Sequence, residues 1–580
     1  MSLPTALRHP GKAVVAGLLL FVLAGQTLAG SADDARFEAV ANRFVERFLA
    51  THPETATGLG DHRFDARTSD YSRRGVARDR TLYRATLKQV EAISAQALSP
   101  GNAVDREILQ NELRARLFDI EEMNEPARNP LAYNPANGIY LLLARDFSPL
   151  KDRLKSVRAR LLAIPAVLEA AKRNLQHPPR VFTETAILQN KGAIALIRDE
   201  LEEFVKQAPA MRARLAPARR SAIRALEAHG VWLEQDLLPR STGDFRIGKP
   251  AYVKKLRFAL DSDLSPEEIL RNAESELKAT QQAMLQTALP LHRRYFPQAG
   301  TEGVDGKIII RAVLDRLADA RSDNASIVAK AKQMLADATE FTRANNLVSV
   351  PDDPVKVIVM PEFARGVAIA YCDAAGALEK NGETFYAISP TPADWTAARA
   401  TSFFREYNDA MLRDLTVHEA MPGHYLQLVV ANKVTARTKI RNLFTSGTFV
   451  EGWATYAEQV MTDAGFGGPE TRMQQLKMRL RLLINAIIDQ KIHAGNMSEQ
   501  EAIALMMNEG FQEDGEAAGK WRRAQLSSTQ LSTYYVGNLE INALSRDLKA
   551  RTGGSLKEVH DRMLSYGSIA PRYVRRLIGL

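Results

Sequence analysis

Two histidines and two glutamates in the last third of the chain could hold and use a metal ion. His418 and Glu419 are adjacent, His424 follows His418 by six residues, and Glu451 begins a second acidic segment. Neutral imidazole nitrogens and a carboxylate oxygen are the usual ligands of a catalytic zinc ion, and a further carboxylate can act as a base. These residues therefore predict a hydrolytic Zn2+ site.

The spacing of the two histidines differs from the usual zinc-binding pattern. In His-Glu-x-x-His the histidines are four residues apart and share one face of a helix. Six steps of about 100° would instead separate His418 and His424 by about 120°. Pro422 lacks an amide proton and Gly423 tolerates unusual backbone angles, which predicts a helix that bulges or breaks and returns His424 to His418. The alternative is an ordinary helix boundary whose histidines bind nothing.

A hydrolytic zinc site needs three protein ligands and an open position for water. The candidate ligands are His418, His424 and Glu451. Glu419 follows the first ligand, so it points beside the metal and suits a general base that takes a proton from water. Asp414, one turn before the first histidine, and Glu458, two turns after the glutamate ligand, could orient an imidazole. The alternative for both acids is a solvent-exposed helix charge.

Six segments carry a resemblance to a known family: residues 53–62, 361–363, 385–390, 418–427, 451–458 and 530–537. Together they resemble the bacterial domain-of-unknown-function 885 family (DUF885), and that family is similar to the helical zinc peptidases of the thermolysin-like superfamily. One departure is Ser528, where the family pattern has proline. This departure concerns the shape of one loop more than the chemistry.

The resemblance implies further site residues. It gives Glu419 the role of general base, and helical zinc peptidases often stabilise the oxyanion with a tyrosine hydroxyl from a C-terminal segment. Tyr534 matches the family's Tyr-x-x-Gly pattern better than Tyr535, which could simply belong to the core. Two further candidates are His560, for the oxyanion, and Arg546, for a substrate carboxylate.

Most of the chain has the apolar periodicity of helices. Before residue 347 this pattern covers residues 35–50, 79–98, 105–125, 150–175, 184–207, 216–237, 265–289 and 326–344. Three runs rich in branched and aromatic residues predict β-strands, at 355–360, 366–372 and 384–389. We expect a mainly α protein with a small β-sheet preceding the metal-binding helix, and the resemblance implies a large helical zincin-like metallopeptidase architecture. The sheet could pair with an extended substrate or be purely structural.

The N-terminus is typical of an export signal. Three basic residues precede an apolar run from 13 to 24 that is short for a membrane span, and residues 27–29 offer a cleavage site. We expect a signal peptide over 1–29, a helical region over 30–346 and a zinc-peptidase-like region over 347–580, the two regions forming one continuous domain. The mature protein would be periplasmic or secreted with no stable membrane anchor. No cysteine lies near the cleavage site, which excludes lipid attachment there.

Charge and cysteine content exclude other classes. The formal net charge is +9, but bases and acids alternate on helical faces. The basic stretch 212–224 has no aromatic residue on which a base could stack, so we expect no nucleic-acid partner. Cys372 is the only cysteine, which excludes an intrachain disulfide and a cysteine-rich structural zinc site.

These observations together predict an exported zinc metallohydrolase, most simply a peptidase that acts on short peptides. One alternative keeps the metal and changes the substrate to a non-peptide amide or an ester. Another is a non-catalytic binding protein with a vestigial metal site. The sequence leaves open the native metal, the mode of cleavage and the oligomeric state.

Overall fold

The computed structural model describes residues 32–360, 369–379, 382–392 and 395–580. The predicted signal peptide and the family segment 361–363 lie outside the described residues. The structure is mainly helical, with 72% helix and a small three-stranded sheet, which confirms the mainly α prediction. Among the residues that the structure describes, none of the helices combines the length and the apolar composition needed to span a bilayer.

The eight periodic stretches before the sheet each correspond to one or two helices, with ends that differ by up to seven residues, whereas the helices over 53–59, 125–128, 136–140, 249–260 and 306–317 were not predicted. The helix Pro266–Tyr295 begins within one residue of its predicted start, because Ser265 caps its N-terminus in a capping box with Glu268 and Pro266 occupies the first turn. Two five-residue π-helical segments, Leu196–Glu200 and Leu233–Leu237, directly follow the helices Arg180–Ala195 and Arg212–Trp232. The helices are α1 (Ala32–Thr51), α2 (Pro53–Leu59), α3 (Arg73–Glu91), α4 (Pro100–Glu121), α5 (Glu125–Arg128), α6 (Ala136–Tyr140), α7 (Leu150–Asn174), α8 (Arg180–Ala195), α9 (Leu201–Gln207), α10 (Arg212–Trp232), α11 (Lys249–Leu260), α12 (Pro266–Tyr295), α13 (Gly306–Leu317) and α14 (Ile327–Ala344).

The sheet consists of β1 (Val355–Val359), β2 (Ala370–Asp373) and β3 (Thr384–Ile388) in the order β1-β3-β2. β3 is the central strand and is buried along its whole length. It pairs in parallel with β1 and antiparallel with β2. β1 and β3 fall within their predicted runs, and β2 ends one residue beyond the second run, at Asp373. Part of the second run lies outside the described residues.

The helices after the sheet carry the metal motif and the C-terminal tyrosines. One of them, Asp409–Glu419, ends inside the metal motif. The helices are α15 (Ala397–Glu406), α16 (Asp409–Glu419), α17 (His424–Asn432), α18 (Ile440–Leu443), α19 (Gly447–Asp463), α20 (Gly468–Gly495), α21 (Glu499–Asn508), α22 (Asp514–Leu526), α23 (Ser532–Thr552), α24 (Leu556–Leu564) and α25 (Pro571–Ile578).

The largest hydrophobic core joins the beginning and the end of the chain. It includes side chains from α1, α3 and α4 together with others from α16, α17, α19 and α23–α25. Phe48 of α1, for example, packs its ring against that of Phe444, with centroids 5.7 Å apart. The helical N-terminal region and the region of the metal motif therefore share one core.

Candidate metal centre

Three helices bring the two histidines and Glu451 together. His418 lies in the last turn of α16, His424 is the first residue of α17, and Glu451 lies in the second turn of α19. The Oε2 atom of Glu451 is 3.6 Å from Nε2 of His418 and 3.4 Å from Nε2 of His424. One ligand atom from each of the three side chains lies within 4.8 Å of the other two, so all three face a common point.

The chain breaks between the two histidines. α16 ends at Glu419 and α17 begins at His424, so the predicted interruption is a break rather than a bulge. The amide of Gly423 donates a hydrogen bond to the carbonyl oxygen of Val417 at 2.9 Å. A Cβ at Gly423 would lie only 2.0 Å from the carbonyl oxygen of His418, so this close turn requires glycine. The break places the two imidazole rings with their centroids 4.7 Å apart.

A hydrogen bond from Trp453 connects α19 to this break. Its indole nitrogen donates a hydrogen bond to the carbonyl oxygen of Pro422 at 2.8 Å, and its side chain is buried. The peptide bond before Pro422 is cis. Trp453 follows Glu451 by two residues on α19. Its hydrogen bond to Pro422 therefore holds α19 against the turn between the two histidines.

The donor set fits a tetrahedral zinc ion. Zinc binds imidazole nitrogen and carboxylate oxygen at about 2.0–2.2 Å, which places neighbouring tetrahedral ligand atoms about 3.4 Å apart. The two distances from Glu451, 3.4 and 3.6 Å, have this size. The same Oε2 atom is buried and has no hydrogen-bond partner among the described residues, as expected of an oxygen that faces a cation. Two nitrogens and one oxygen leave a fourth position for water or substrate.

The ionisation of Glu451 favours cation binding. Burial alone would raise the pKa of its carboxyl group, but the interactions with His418 and His424 outweigh burial and lower the pKa. Glu451 is therefore ionised at neutral pH. A metal site requires this form, because a carboxylate must be deprotonated to bind a cation.

Glu458 holds the imidazole of His418 from the side opposite Glu451. Its Oε1 atom lies 2.6 Å from Nδ1 of His418, so Nδ1 carries the proton and Nε2 is free to bind a metal. Asp414 is buried nearby, and neither of its carboxylate oxygens has a hydrogen-bond partner among the described residues. Burial and the charge of Glu458 raise the pKa of Asp414 well above its usual value.

The two predicted orienting acids thus differ in position. Glu458 and Asp414 are each only 1% exposed, so neither is a solvent-exposed helix charge. Within the described structure Glu458 contacts a ligand imidazole and Asp414 does not. Sequence spacing could not separate them, because both lie a whole number of turns from a ligand on their own helices.

Glu419 lies between the ligands and the sheet. Its Oε2 atom accepts a hydrogen bond from the backbone N–H of Cys372 in β2 at 3.0 Å. This N–H points towards α16 rather than β3, so it marks the edge of β2 on which an extended substrate could pair. Burial raises the pKa of Glu419, the charges of both histidines oppose this rise, and the charge of Glu451 adds to it. The carboxyl group is therefore close enough to the cluster to respond to all three ligands.

Two glycines face each other where α19 crosses α23. Gly452 directly follows Glu451, and Gly537 is the glycine of the Tyr-x-x-Gly segment. A Cβ at Gly452 would lie 2.5 Å from the carbonyl carbon of Gly537, and a Cβ at Gly537 would lie 2.2 Å from the carbonyl oxygen of Thr448. The backbones approach this closely because neither glycine has a side chain. The contact brings the tyrosine segment to the helix that carries Glu451.

Tyr534 and Arg523 lie close enough to Glu451 for its charge to act on both. The hydroxyl oxygen of Tyr534 accepts a hydrogen bond from Nη2 of Arg523 at 2.9 Å, and this guanidinium nitrogen also donates to Gln530 at 2.9 Å. Burial and the charge of Glu451 raise the pKa of Tyr534, so its hydroxyl keeps its proton and can donate it. Sequence reasoning missed Arg523, because nothing in the basic stretch 520–523 distinguishes this arginine from its neighbours.

Tyr535 is turned away from the metal cluster. Adjacent residues of a helix point about 100° apart, so Tyr534 and Tyr535 cannot both face one centre. The buried Tyr535 hydroxyl donates to Oε1 of Glu276 at 2.9 Å, and its ring belongs to the core around α12 and α20. This position corresponds to the core alternative for Tyr535 and does not support a catalytic role.

The two predicted substrate-binding residues also lie away from the cluster. The Arg546 side chain is 74% exposed and contacts Asp547. His560 is buried, with Nδ1 2.7 Å from the carbonyl oxygen of Leu347 and Nε2 2.9 Å from the hydroxyl of Tyr456. Both ring nitrogens of His560 are thus engaged, which leaves none for a substrate. Arg546 projects into solvent because it lies on the outer face of α23.

Two adjoining cavities lie near the start of α19. They have volumes of about 290 and 660 Å³ and share Asn111, Phe258, Asp261 and Tyr573 in their linings. The smaller one is also lined by Ser446 and Gly447, one turn before Glu451. Residues of α4 and α11 form the opposite wall, and none of the candidate site residues lines either cavity.

Comparison with known proteins gives a family match. The family described as "Bacterial protein of unknown function (DUF885)" matches residues 53–578. This match confirms the resemblance drawn from six short segments. A comparison with curated proteins finds no match.

Two solved structures share the fold. One is described as "a putative lipoprotein of unknown function from Shewanella oneidensis"; it is 32% identical, with a TM-score of 0.78 over 94% of this chain and 100% of that chain. The other is described as "the putative lipoprotein from Colwellia psychrerythraea", at 18% identity and a TM-score of 0.74 over 94% of this chain and 98% of that chain. The second comparison supports the fold alone.

Proposed function

The chain belongs to the DUF885 family, and we propose that it is an exported zinc-dependent hydrolase that cleaves short peptides. The observation that carries this proposal is the geometry of Glu451, whose unpartnered buried oxygen lies 3.4 and 3.6 Å from two imidazole nitrogens. These distances match the edge of a tetrahedron around zinc. A buried carboxylate that is not itself a ligand, Glu419, lies beside the cluster.

Glu419, Tyr534 and Glu458 each have a separate role in the proposed hydrolysis. A bound zinc ion would supply Lewis acidity to a water molecule and to the scissile carbonyl group. Glu419 takes a proton from the attacking water and delivers it to the leaving amine. The hydroxyl of Tyr534 donates a hydrogen bond to the oxyanion, for which its retained proton suits it. Glu458 keeps the imidazole of His418 in the tautomer that binds metal.

The proposal includes a zincin-like arrangement that differs from His-Glu-x-x-His in one respect. A broken helix, rather than a continuous one, presents the two histidines, and the general base directly follows the first of them. The buried pair of glycines at 452 and 537 lets the segment of Tyr534 approach the helix of Glu451, which supports a role for this tyrosine. This combination favours hydrolysis over a closed structural zinc site, which would use four protein ligands.

Export follows from the N-terminal pattern and is consistent with the descriptions of the two similar structures as lipoproteins. The only cysteine of this chain, Cys372, lies in β2. A lipid attached to an N-terminal cysteine is therefore not part of the proposal. We place the protein free in the periplasm or outside the cell.

Two measurements test the function together. Elemental analysis of purified protein should give about one zinc ion per chain, and mass spectrometry should detect cleavage of an unbiased peptide library. A strong chelator should abolish cleavage, and added zinc should restore it. Stoichiometric zinc without any peptide cleavage would favour the amide or ester alternative, and absence of bound metal would reject the proposal.

A further inference from the structure

One face of α22 carries charged side chains, and one of them, Arg523, reaches Tyr534. Glu516, Lys520 and Arg523 are spaced four and three residues apart, so they lie on the same side of the helix. Arg523 contacts Tyr534, and the charge of Glu451 acts on both. Lys520 is one turn further from the C-terminal end of α22. This face of α22 therefore extends from Tyr534 into the interior of the protein.

The buried cations around this face are unequally paired. Glu406 accepts hydrogen bonds from Lys477 and Arg481 and from the backbone N–H of residue 513. Glu516 lies 3.7 Å from Arg481 and accepts a hydrogen bond from the hydroxyl of Tyr407 at 2.9 Å. Lys477 and Arg481 thus have carboxylate partners, and Lys520 has only a more distant one. A buried cation is costly unless it is paired, so the position of Lys520 indicates a place for an anion.

Lys520 is the cation with the poorest partner. It is 7% exposed, and its ammonium group has no hydrogen bond among the described residues. The nearest carboxylate oxygen, on Glu516, is 3.9 Å away. Burial lowers the pKa of Lys520 to about 7, and the positive charges of Arg523 and Arg481 add to this effect. An anion beside Lys520 would restore its charge and provide the missing partner.

We propose that Arg523 and Lys520 bind the C-terminal carboxylate of the peptide substrate, so that the enzyme is a carboxypeptidase. This inference rests on the proposed hydrolysis of peptides. The guanidinium group of Arg523 can bind a carboxylate with two parallel hydrogen bonds. Its contact with Tyr534 places that carboxylate one side chain from the oxyanion, so cleavage occurs close to the C-terminus. Arg523 thus takes the role predicted for Arg546, which lies in solvent.

The test compares peptides that differ only in their C-terminus. For one peptide as free acid and as amide, the wild-type protein should prefer the acid in kcat/KM by about 10- to 100-fold, the size of a hydrogen bond to a charged group. Arg523→Gln and Lys520→Met should each reduce this preference towards one. Equal rates on acid and amide in the wild type would overturn the proposal, and so would a preference that both variants retain.

A positioning role gives a different result. If Arg523 served only to orient Tyr534, Arg523→Gln would lower the rates on acid and amide by the same factor, which would also overturn the proposal. Arg523→Lys separates charge from shape, because lysine keeps the charge and loses the bidentate fork, and it should retain part of the preference. The wild-type comparison needs no variant, so a variant that fails to fold leaves the proposal testable.

A binding measurement separates this inference from the proposed function. Calorimetry on zinc-loaded Glu419→Gln protein should detect glycyl-phenylalanine as the free acid about tenfold or more tightly than its amide. The difference should disappear when Arg523→Gln is added. Cleavage of acid and amide alike would keep the peptidase and reject the carboxylate subsite. Absence of cleavage with acid-selective, Arg523-dependent binding would keep the subsite and reject the peptidase, and absence of both would reject both.

Discussion

Gly452 and Gly537 touch through their backbones where α19 crosses α23, and this contact sets the distance between Glu451 and Tyr534. A Cβ at either position would lie within about 2.6 Å of backbone atoms of the other helix. Backbone atoms cannot move aside as a flexible side chain can. The two helices therefore keep Glu451 and Tyr534 at this distance only while both positions remain glycine.

Gly537→Ala should force these helices apart. The added methyl group would meet the carbonyl oxygen of Thr448 at 2.2 Å, and overpacking of this kind costs about 1–3 kcal/mol. Urea unfolding measures the loss. Gly519→Ala in α22 is the matched control, because a Cβ there has no atom within 4 Å; it should stabilise the protein by up to about 1 kcal/mol. Equal effects of the two changes would contradict the close helix crossing.

Glu419→Gln should separate metal binding from hydrolysis. The amide keeps the size of the side chain but cannot take a proton from water, so peptide cleavage should fall by at least about 100-fold. The zinc content should not change, because Glu419 is not one of the three clustered ligands. Elemental analysis and peptide hydrolysis measure the two quantities on the same sample. Unchanged turnover would remove Glu419 from the mechanism.

Tyr534→Phe and Tyr535→Phe remove hydroxyl groups from neighbouring residues that point in different directions. Tyr534→Phe should lower kcat by about 100- to 1000-fold, as loss of an oxyanion donor does. Tyr535→Phe should leave kcat nearly unchanged and cost about 1 kcal/mol of stability, because it removes the hydrogen bond to Glu276. Steady-state kinetics and urea unfolding of both variants check this. A larger loss of kcat in Tyr535→Phe would reverse the assignment.

Glu458→Gln should weaken zinc binding by about 10- to 100-fold, because it removes the carboxylate that orients His418. Asp414→Asn provides the comparison. Asp414 makes no hydrogen bond to either imidazole among the described residues, so the amide removes no such contact, and zinc affinity should stay close to that of the wild type. Competition with a chromophoric chelator gives both dissociation constants. A larger loss of zinc affinity in Asp414→Asn than in Glu458→Gln would contradict the role of Glu458 in orienting His418.

His560 should contribute to loss of stability in acid. Burial lowers its pKa to about 4, against an ordinary value of 6.5. Below pH 6.5 the unfolded chain takes up a proton at this position, and the folded chain does not until about pH 4. Stability from this group is therefore complete above pH 6.5 and falls by up to about 3 kcal/mol as the pH falls to 4. Unfolding of the wild type and His560→Gln between pH 4 and 7 should show the shallower slope in the variant.

The amino-acid sequence by itself predicted much of the fold, because the signals are local. Apolar periodicity predicted nine of the fourteen helices before the sheet, and runs of branched and aromatic residues predicted the three strands. The interruption at Pro422 and Gly423 was also predictable, since proline and glycine act on their own backbone. The spacing of His418, His424 and Glu451 limited the possible chemistry before any contact was known.

Only the tertiary structure decided which side chains meet. Glu458 and Asp414 are equivalent in helical spacing, yet Glu458 alone contacts a ligand imidazole in the described structure. Arg546 was a candidate for a substrate carboxylate, and the fold instead places Arg523 beside Tyr534. These differences arise from how α19, α20, α22 and α23 cross. Such crossings depend on contacts between residues far apart in the sequence, which local pattern cannot specify.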